Sequence, residues 1–150
     1  FSTAMKEFRI KQFEEFIAQY ALNGKKIIEI GTGRGEYLML MNEFDIHASG
    51  IEYAPEAVEE CLRQKLDVHE MYIDNPADKI EGAPFDAFFI LNFFEHLPAP
   101  NSTLQSLYQN LDDDGIGLIE VPNFDMILKS NLFSEFISDH LFYFTKETLS

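Results

Sequence analysis

Apolar and polar residues follow two rhythms along this chain. From Thr3 to Tyr20, Met5, Phe8, Phe13, Phe16, Ile17 and Tyr20 recur at helical spacing with charges between them, predicting an amphipathic helix that Asn23-Gly24 stops. At Lys25 the rhythm changes: Ile27, Ile28 and Ile30 form a short apolar run that breaks off at Gly31. Glycine returns at Gly33 and Gly35, and a helical pattern then runs from Tyr37 to Phe44, so this stretch reads as strand, tight turn and helix. Ala48 to Tyr53 predicts a second strand, and Pro55 opens a helix with Val58, Cys61, Leu62 and Leu66 on its buried face. Val68 to Ile73 predicts a third strand, ended by Asp74-Asn75-Pro76. Phe85 to Glu95, FDAFFILNFFE, shows no alternation, which indicates burial on both faces, as in a parallel sheet. A helix from Pro100, with Leu104, Leu107, Tyr108 and Leu111 on one face, leads through the turn Asp112-Asp113-Asp114-Gly115 to a fifth strand, Ile116 to Val121. Phe124 to Phe136 is again apolar at helical spacing, and Thr145 to Leu149 opens another helix.

Strands alternating with helices over 150 residues predict one α/β domain with a mainly parallel sheet. The charge balance narrows its partners. Against 11 Lys and Arg stand 26 Asp and Glu, a formal charge of -15, whose field repels nucleic acid and anionic membrane surfaces. No apolar run approaches the roughly 18 residues of a membrane span, and no signal sequence opens the chain, which reads as cytoplasmic. Cys61 is the one cysteine, so a disulfide framework and a cysteine metal site are both excluded.

The glycine loop carries the chemistry. Bare backbone at a helix N-terminus lets a ligand lie against the main chain. A dinucleotide site wants G-x-G-x-x-G, whereas here the spacing is G-x-G-x-G, with Glu36 in the sixth position and Glu29 two residues before the first glycine. Carboxylates there disfavour a pyrophosphate, and with it a nicotinamide-dependent oxidoreductase, and suit a ligand with a cationic end. Glu52 closes the second strand about 20 residues on, where a carboxylate can accept both hydroxyls of a ribose or serve as a solvated turn residue.

The E-x-G-x-G-x-G stretch from Glu29 to Gly35 resembles the first motif of class I S-adenosylmethionine-dependent methyltransferases. The N-x-x-EHLP-x-P strand end from Asn92 to Pro100, the GLIEVPN run to Asn123 and the segment DHLFYFTKETL from Asp139 resemble the same family, in its bacterial small-molecule branch. The resemblance implies a Rossmann-like three-layer sandwich in strand order 3-2-1-4-5, with two last strands absent from residues 1–150. It implies S-adenosyl-L-methionine as cofactor, bound by Glu29, Gly31, Gly33, Gly35, Glu52, Asp74, Asn92 and Phe93, and a small-molecule acceptor such as a sugar or other metabolite. Asp74 would meet the adenine amino group or simply cap its turn. The helix within residues 1–22 would be a lid or a helix packed on the sheet. His140 matches a histidine read as a base in sugar C-methyltransferases; Tyr143 in the same segment, and separately His96 at the mouth of the fourth strand, are the other catalytic candidates. Glu95 reads as fixing its loop, and His47 and His69 as surface or packing residues. No metal is expected, because no two histidines share helical ligand spacing. The alternative is a non-catalytic adenosyl-binding module.

Overall fold

A computed structural model describes residues 2–149. Helix α1 (Thr3–Tyr20) precedes β1 (Lys26–Ile30), α2 (Glu36–Met41), β2 (His47–Glu52), α3 (Pro55–Arg63), β3 (Val68–Glu70) and β4 (Phe85–Leu91). A 3-10 turn at Phe94–His96, α4 (Pro100–Asn110), β5 (Leu111–Glu120) and α5 (Phe124–Lys129) complete the main elements. The five strands form one sheet in order β3-β2-β1-β4-β5, and every pairing is parallel. No helix among the described residues is long and apolar enough to cross a membrane.

The sheet separates two apolar layers because successive strand residues point to opposite faces. Ile27, Ala87, Phe89 and Leu91 pack with Phe13, Phe16 and Ile17 of α1 and with Leu40 and Met41 of α2. Ile28, Ile30, Phe88 and Ile90 pack on the other side with Leu107 of α4 and with Phe94 and Leu97. A smaller cluster joins Leu38 to Val58, Cys61, Leu66 and Val68. Cys61 is an ordinary core residue, as its spacing indicates, and burial pushes its thiol up to about 11.

Several boundaries differ from the sequence pattern, each for a local reason. Helix α1 spans Thr3–Tyr20, as the apolar spacing predicts, but its stop is Ala21, which takes the left-handed conformation and donates to the Ile17 carbonyl, and not Asn23-Gly24. Met5, Phe8 and Tyr20 are exposed, so the buried stripe runs instead through Arg9, Phe13, Phe16 and Ile17. β3 stops at Glu70, and β4 stops at Leu91 because Asn92 turns the chain with φ 53°. The acidic triplet lies within β5, at the register shift between Phe85 opposite Leu111 and Ala87 opposite Ile116. Leu62 and Tyr108 are exposed. α5 ends at Lys129, and Thr145 to Leu149 makes a single turn closed by Thr145 and Thr148.

The inner face of α4 carries three polar residues beside the expected Leu107. Thr103, Ser106 and Asn110 are fully buried because the connection from β3 to β4 has no regular structure to satisfy its own backbone. Thr103 donates to the Ile73 carbonyl at 2.9 Å; Asn110 donates to Asp78 at 2.8 Å and accepts from the Ile80 amide at 2.9 Å. Replacing Asn110 by Ala leaves the Ile80 amide unpaired and the Asp78 carbonyl with only the longer Ser106 bond, and should lower unfolding free energy by about 1–3 kcal/mol in urea titration. Tyr108→Ala, on the exposed face, should change it by less than about 0.5 kcal/mol. Equal effects would refute this account of the helix face.

Candidate active site

The three loop glycines hold φ values of 74°, 55° and 86° at Gly31, Gly33 and Gly35, a conformation that costs other residues about 1–2 kcal/mol each. The amides of Gly31 and Thr32 donate to the Ile51 carbonyl, so the loop crosses the carboxyl end of β2. There Glu52 is buried, and its carboxylate accepts from the amides of Gly33 at 2.8 Å, Tyr53 at 2.9 Å and Ala54 at 2.9 Å. A slot opens beside it, bounded by Gly31, Glu52, Tyr53, Tyr72, Ile73 and Phe93. Tyr53 and Tyr72 meet edge to face at 6.0 Å on its rim. The slot is narrow, about 10 Å³, and the Phe93 ring lies so close over Gly31 that a Cβ there would overlap it. Asp74 is exposed just beyond the slot; burial, with its charge added, raises the Tyr72 hydroxyl.

Glu29 lies elsewhere, under the loop on the α1 and α2 side of β1, 1% exposed and outside the slot lining. Burial, then the charges of Glu36 and Glu52, push its carboxyl well above the usual value, partly offset by the Leu38 backbone amide. Its Oε2 has no hydrogen-bond partner among the described residues.

Across the mouth, α1 is fastened to the end of β5 by residues the sequence pattern did not single out. The guanidinium of Arg9 makes a two-pronged pair with Glu120, one bond at 2.6 Å, and Gln12 joins both. The Arg9 bond and charge hold the Glu120 carboxyl below its ordinary value. The Tyr37 ring lies 5.0 Å from that guanidinium, and Asn92 Nδ2 is 3.5 Å from the Tyr37 hydroxyl. The available signal was Arg9 itself, a charge one turn before Phe13 on an otherwise apolar face.

The third group forms where the segment after α5 returns to the end of β4. The Glu95 carbonyl accepts from the amides of Leu141 at 2.9 Å and Phe142 at 3.2 Å, and Phe144 packs on Phe94 at 5.4 Å. This clip brings together His96 and His140, whose rings meet edge to face at 4.8 Å. His96 Nδ1 is 2.9 Å from the Asp139 carbonyl, which can only accept, so Nδ1 carries the proton and Nε2 of the neutral ring is bare. His140 Nε2 is 4.0 Å from Oε1 of Glu95, a carboxyl that burial raises above its usual range. Tyr143 lies tilted against His140 at 5.7 Å, but its hydroxyl is engaged by the Ile137 amide and carbonyl, so it supports the loop and does not face the mouth freely. Phe93 lies 6.3 Å from the His96 ring and thereby joins this group to the slot. His47 and His69 line a separate cavity of about 490 Å³ at the opposite, amino end of the strands.

A family model described as a methyltransferase domain matches residues 5–150. No curated protein sequence matches the chain. Among solved structures, the plantazolicin methyltransferase BpumL in complex with SAH is 21% identical, with 91% of this chain and 55% of that one covered and a TM-score of 0.72. The sugar N-methyltransferase KedS8 from Streptoalloteichus sp ATCC 53650 is 17% identical over 77% of this chain and 48% of its own, with a TM-score of 0.65. A SAM dependent methyltransferase from Archaeoglobus fulgidus is 22% identical over 96% and 65%, with a TM-score of 0.68. At these identities the likeness is one of fold. The chain spans about half the length of the first two.

The buried Glu29 gives a pH test. A carboxyl raised in the folded state keeps its proton while the unfolded chain loses it. Its stability contribution is therefore complete below the ordinary value of 4.5 and is lost as pH rises through the folded value. Glu29→Gln removes that loss, so its melting temperature should exceed the wild-type value by an amount that grows from pH 5 to pH 8, at roughly 2–4 °C per kcal/mol. A constant difference across that range in thermal melts would show that Glu29 is ionised in the folded protein.

Proposed function

The chain belongs to the methyltransferase-domain family, of the class I kind that uses S-adenosylmethionine, and from that premise we propose that it methylates a small-molecule acceptor, a sugar or other metabolite. The whole of residues 1–150 acts as the cofactor-binding domain in this reading. The observation that carries it is Glu52: a buried strand-end carboxylate tied to the glycine loop by the Gly33 amide, beside a slot with apolar and aromatic walls. Oε1 of Glu52 is taken up by the Tyr53 and Ala54 amides, whereas Oε2 accepts only from Gly33 and has further acceptor capacity for a ribose hydroxyl. Ile51, Tyr53, Tyr72 and Ile73 suit a flat, weakly polar base, with Asp74 at its rim. Gly31 and Phe93 line the slot itself, Gly33 serves through its amide on Glu52, Gly35 turns its bare face to Leu66 and Cys61 of the core and so acts through the shape of the loop, Asn92 reaches Tyr37, and Glu29 acts from beneath the loop. The cofactor supplies, when bound, a methyl group on a positively charged sulfur.

This chain's own residues bind, orient and exclude water. Phe93 covers Gly31 and has to turn aside for a ligand as large as an adenosyl group to enter. Helix α1, held by its apolar stripe and by Arg9 on Glu120, walls the mouth on one side. A lid role is confined to its exposed first turns, because moving the rest would break that buried pair. His96 and His140, above Glu95, are the groups that orient and activate the acceptor's nucleophile. Tyr143 positions His140. Orientation alone supplies a large share of the rate in such displacements.

Calorimetric titration with S-adenosylhomocysteine should show one site, and Glu52→Ala should weaken it about 10- to 100-fold, the worth of charge-assisted hydrogen bonds. A wild-type protein that binds neither cofactor nor product would end this reading. Incubation with methyl-labelled S-adenosylmethionine and a library of sugars and metabolites should then give a labelled acceptor. His140→Ala should abolish that transfer while leaving titration with S-adenosylhomocysteine unchanged; unaltered transfer would remove His140 from the acceptor's activation. Cofactor binding without any transfer would identify an adenosyl-binding module.

A further inference from the structure

We propose that Glu95, His96 and His140 together hold one divalent transition-metal ion of the zinc type, with an open coordination position toward the mouth. That the open position takes the acceptor's oxygen or nitrogen rests on the methyl-transfer reading; the ion site itself does not.

Three observations converge. The three side chains offer one ligand atom each, all within 4.8 Å of one another. Bond lengths of about 2.0–2.2 Å to nitrogen and oxygen put ligand atoms around one ion roughly 3–4 Å apart, so closure needs movements of the order of 1 Å. The 4.0 Å separation of His140 Nε2 from Glu95 Oε1 is too long for a hydrogen bond and of the right size for two ligands sharing an ion.

His96 is already arranged as a ligand. Its Nδ1 hydrogen bond to the Asp139 carbonyl presents Nε2 as the lone pair, the backbone support that metal-bound imidazoles ordinarily have. Glu95 Oε2 and His140 Nδ1 are moreover buried without a hydrogen-bond partner among the described residues. Orphaned polar atoms on two members of one cluster mean that the protein alone does not satisfy it. Two-oxygen ligation by Glu95 relieves Oε2, and His140 relieves its Nδ1 by turning that nitrogen, in place of Nε2, to the ion.

The ligand set fixes the kind of ion. Two imidazoles and one carboxylate suit zinc and its neighbours and do not suit calcium or magnesium, which want oxygen cages. Three protein ligands leave a position open, as in catalytic and not structural sites. An alcohol or amine bound there is made more acidic by the cation, and its proton can then leave to water. His140 then serves the acceptor as a ligand and not as a free base.

The test uses the whole chain after treatment with a chelator, titrated with Co²⁺ and with Zn²⁺. We expect one ion per chain by calorimetry and, for Co²⁺, a visible ligand-field absorption that Zn²⁺ displaces. His96→Ala and His140→Ala should each weaken binding at least about tenfold, while His69→Ala, at the far end of the sheet, binds as the wild type. Should the alanine variants fail to fold by circular dichroism, Glu95→Gln, which keeps the side chain's shape, gives the same readout. Absence of stoichiometric binding, or equal affinity in the wild type and the cluster variants, overturns the proposal. S-adenosylhomocysteine binding, measured in parallel, is expected to survive every cluster substitution, so its loss in the wild type counts against the methyl-transfer reading and not against the ion site.

Discussion

The arrangement depends on the parallel pairing of two strands that have no solvent-facing side. β4 presents Ala87, Phe89 and Leu91 to one apolar layer and Phe88 and Ile90 to the other, and β1 beside it does the same with Ile27 against Ile28 and Ile30. A strand buried on both faces cannot slip by one residue without exchanging its entire set of side chains between layers. The ends of β1 and β4 are thereby fixed relative to each other. From those ends the chain leaves in opposite senses, toward β2 on one side and β5 on the other, and the crevice between them is where open parallel sheets bind ligands.

Electrostatics at that crevice are subtler than the sequence suggested. Acidic residues around the glycine loop read as a uniform invitation to a cationic ligand, but they divide by environment. Glu52 is engaged by three backbone amides. Glu29 has been driven toward its neutral form by burial. Ionisation of Glu29 inside the core is costly unless a positive charge arrives nearby. A cationic ligand would therefore gain from Glu29 only after offsetting that cost, which makes Glu52 the stronger contact.

Elements set by local pattern were legible. The limits of α1 follow the apolar spacing to the residue, the glycine turn follows from its three glycines, and Glu52 follows from standing last in an apolar run. Features set by distant partners were not. The polar inner face of α4 answers an irregular connection whose backbone needs donors and acceptors, and helical periodicity counts only apolar residues. Arg9 looked like a surface charge because its partner Glu120 lies at the far end of the chain. Judging each histidine by its neighbours in sequence gave no reason to join His96 to His140. They meet because one carbonyl, that of Glu95, accepts two amides from the returning segment.

That same clip sets the two halves of the crevice side by side. Phe93 stands between the left-handed Asn92 and the turn holding Glu95 and His96, with its ring over Gly31 on one side and near His96 on the other. A ligand entering the slot displaces this ring, and close-packed surroundings pass such a displacement on. The neighbouring backbone is pinned by the Asp139 carbonyl on His96 and by Leu141 and Phe142 on Glu95. Phe93 is thus the residue that stands between the slot and the group formed by Glu95, His96 and His140.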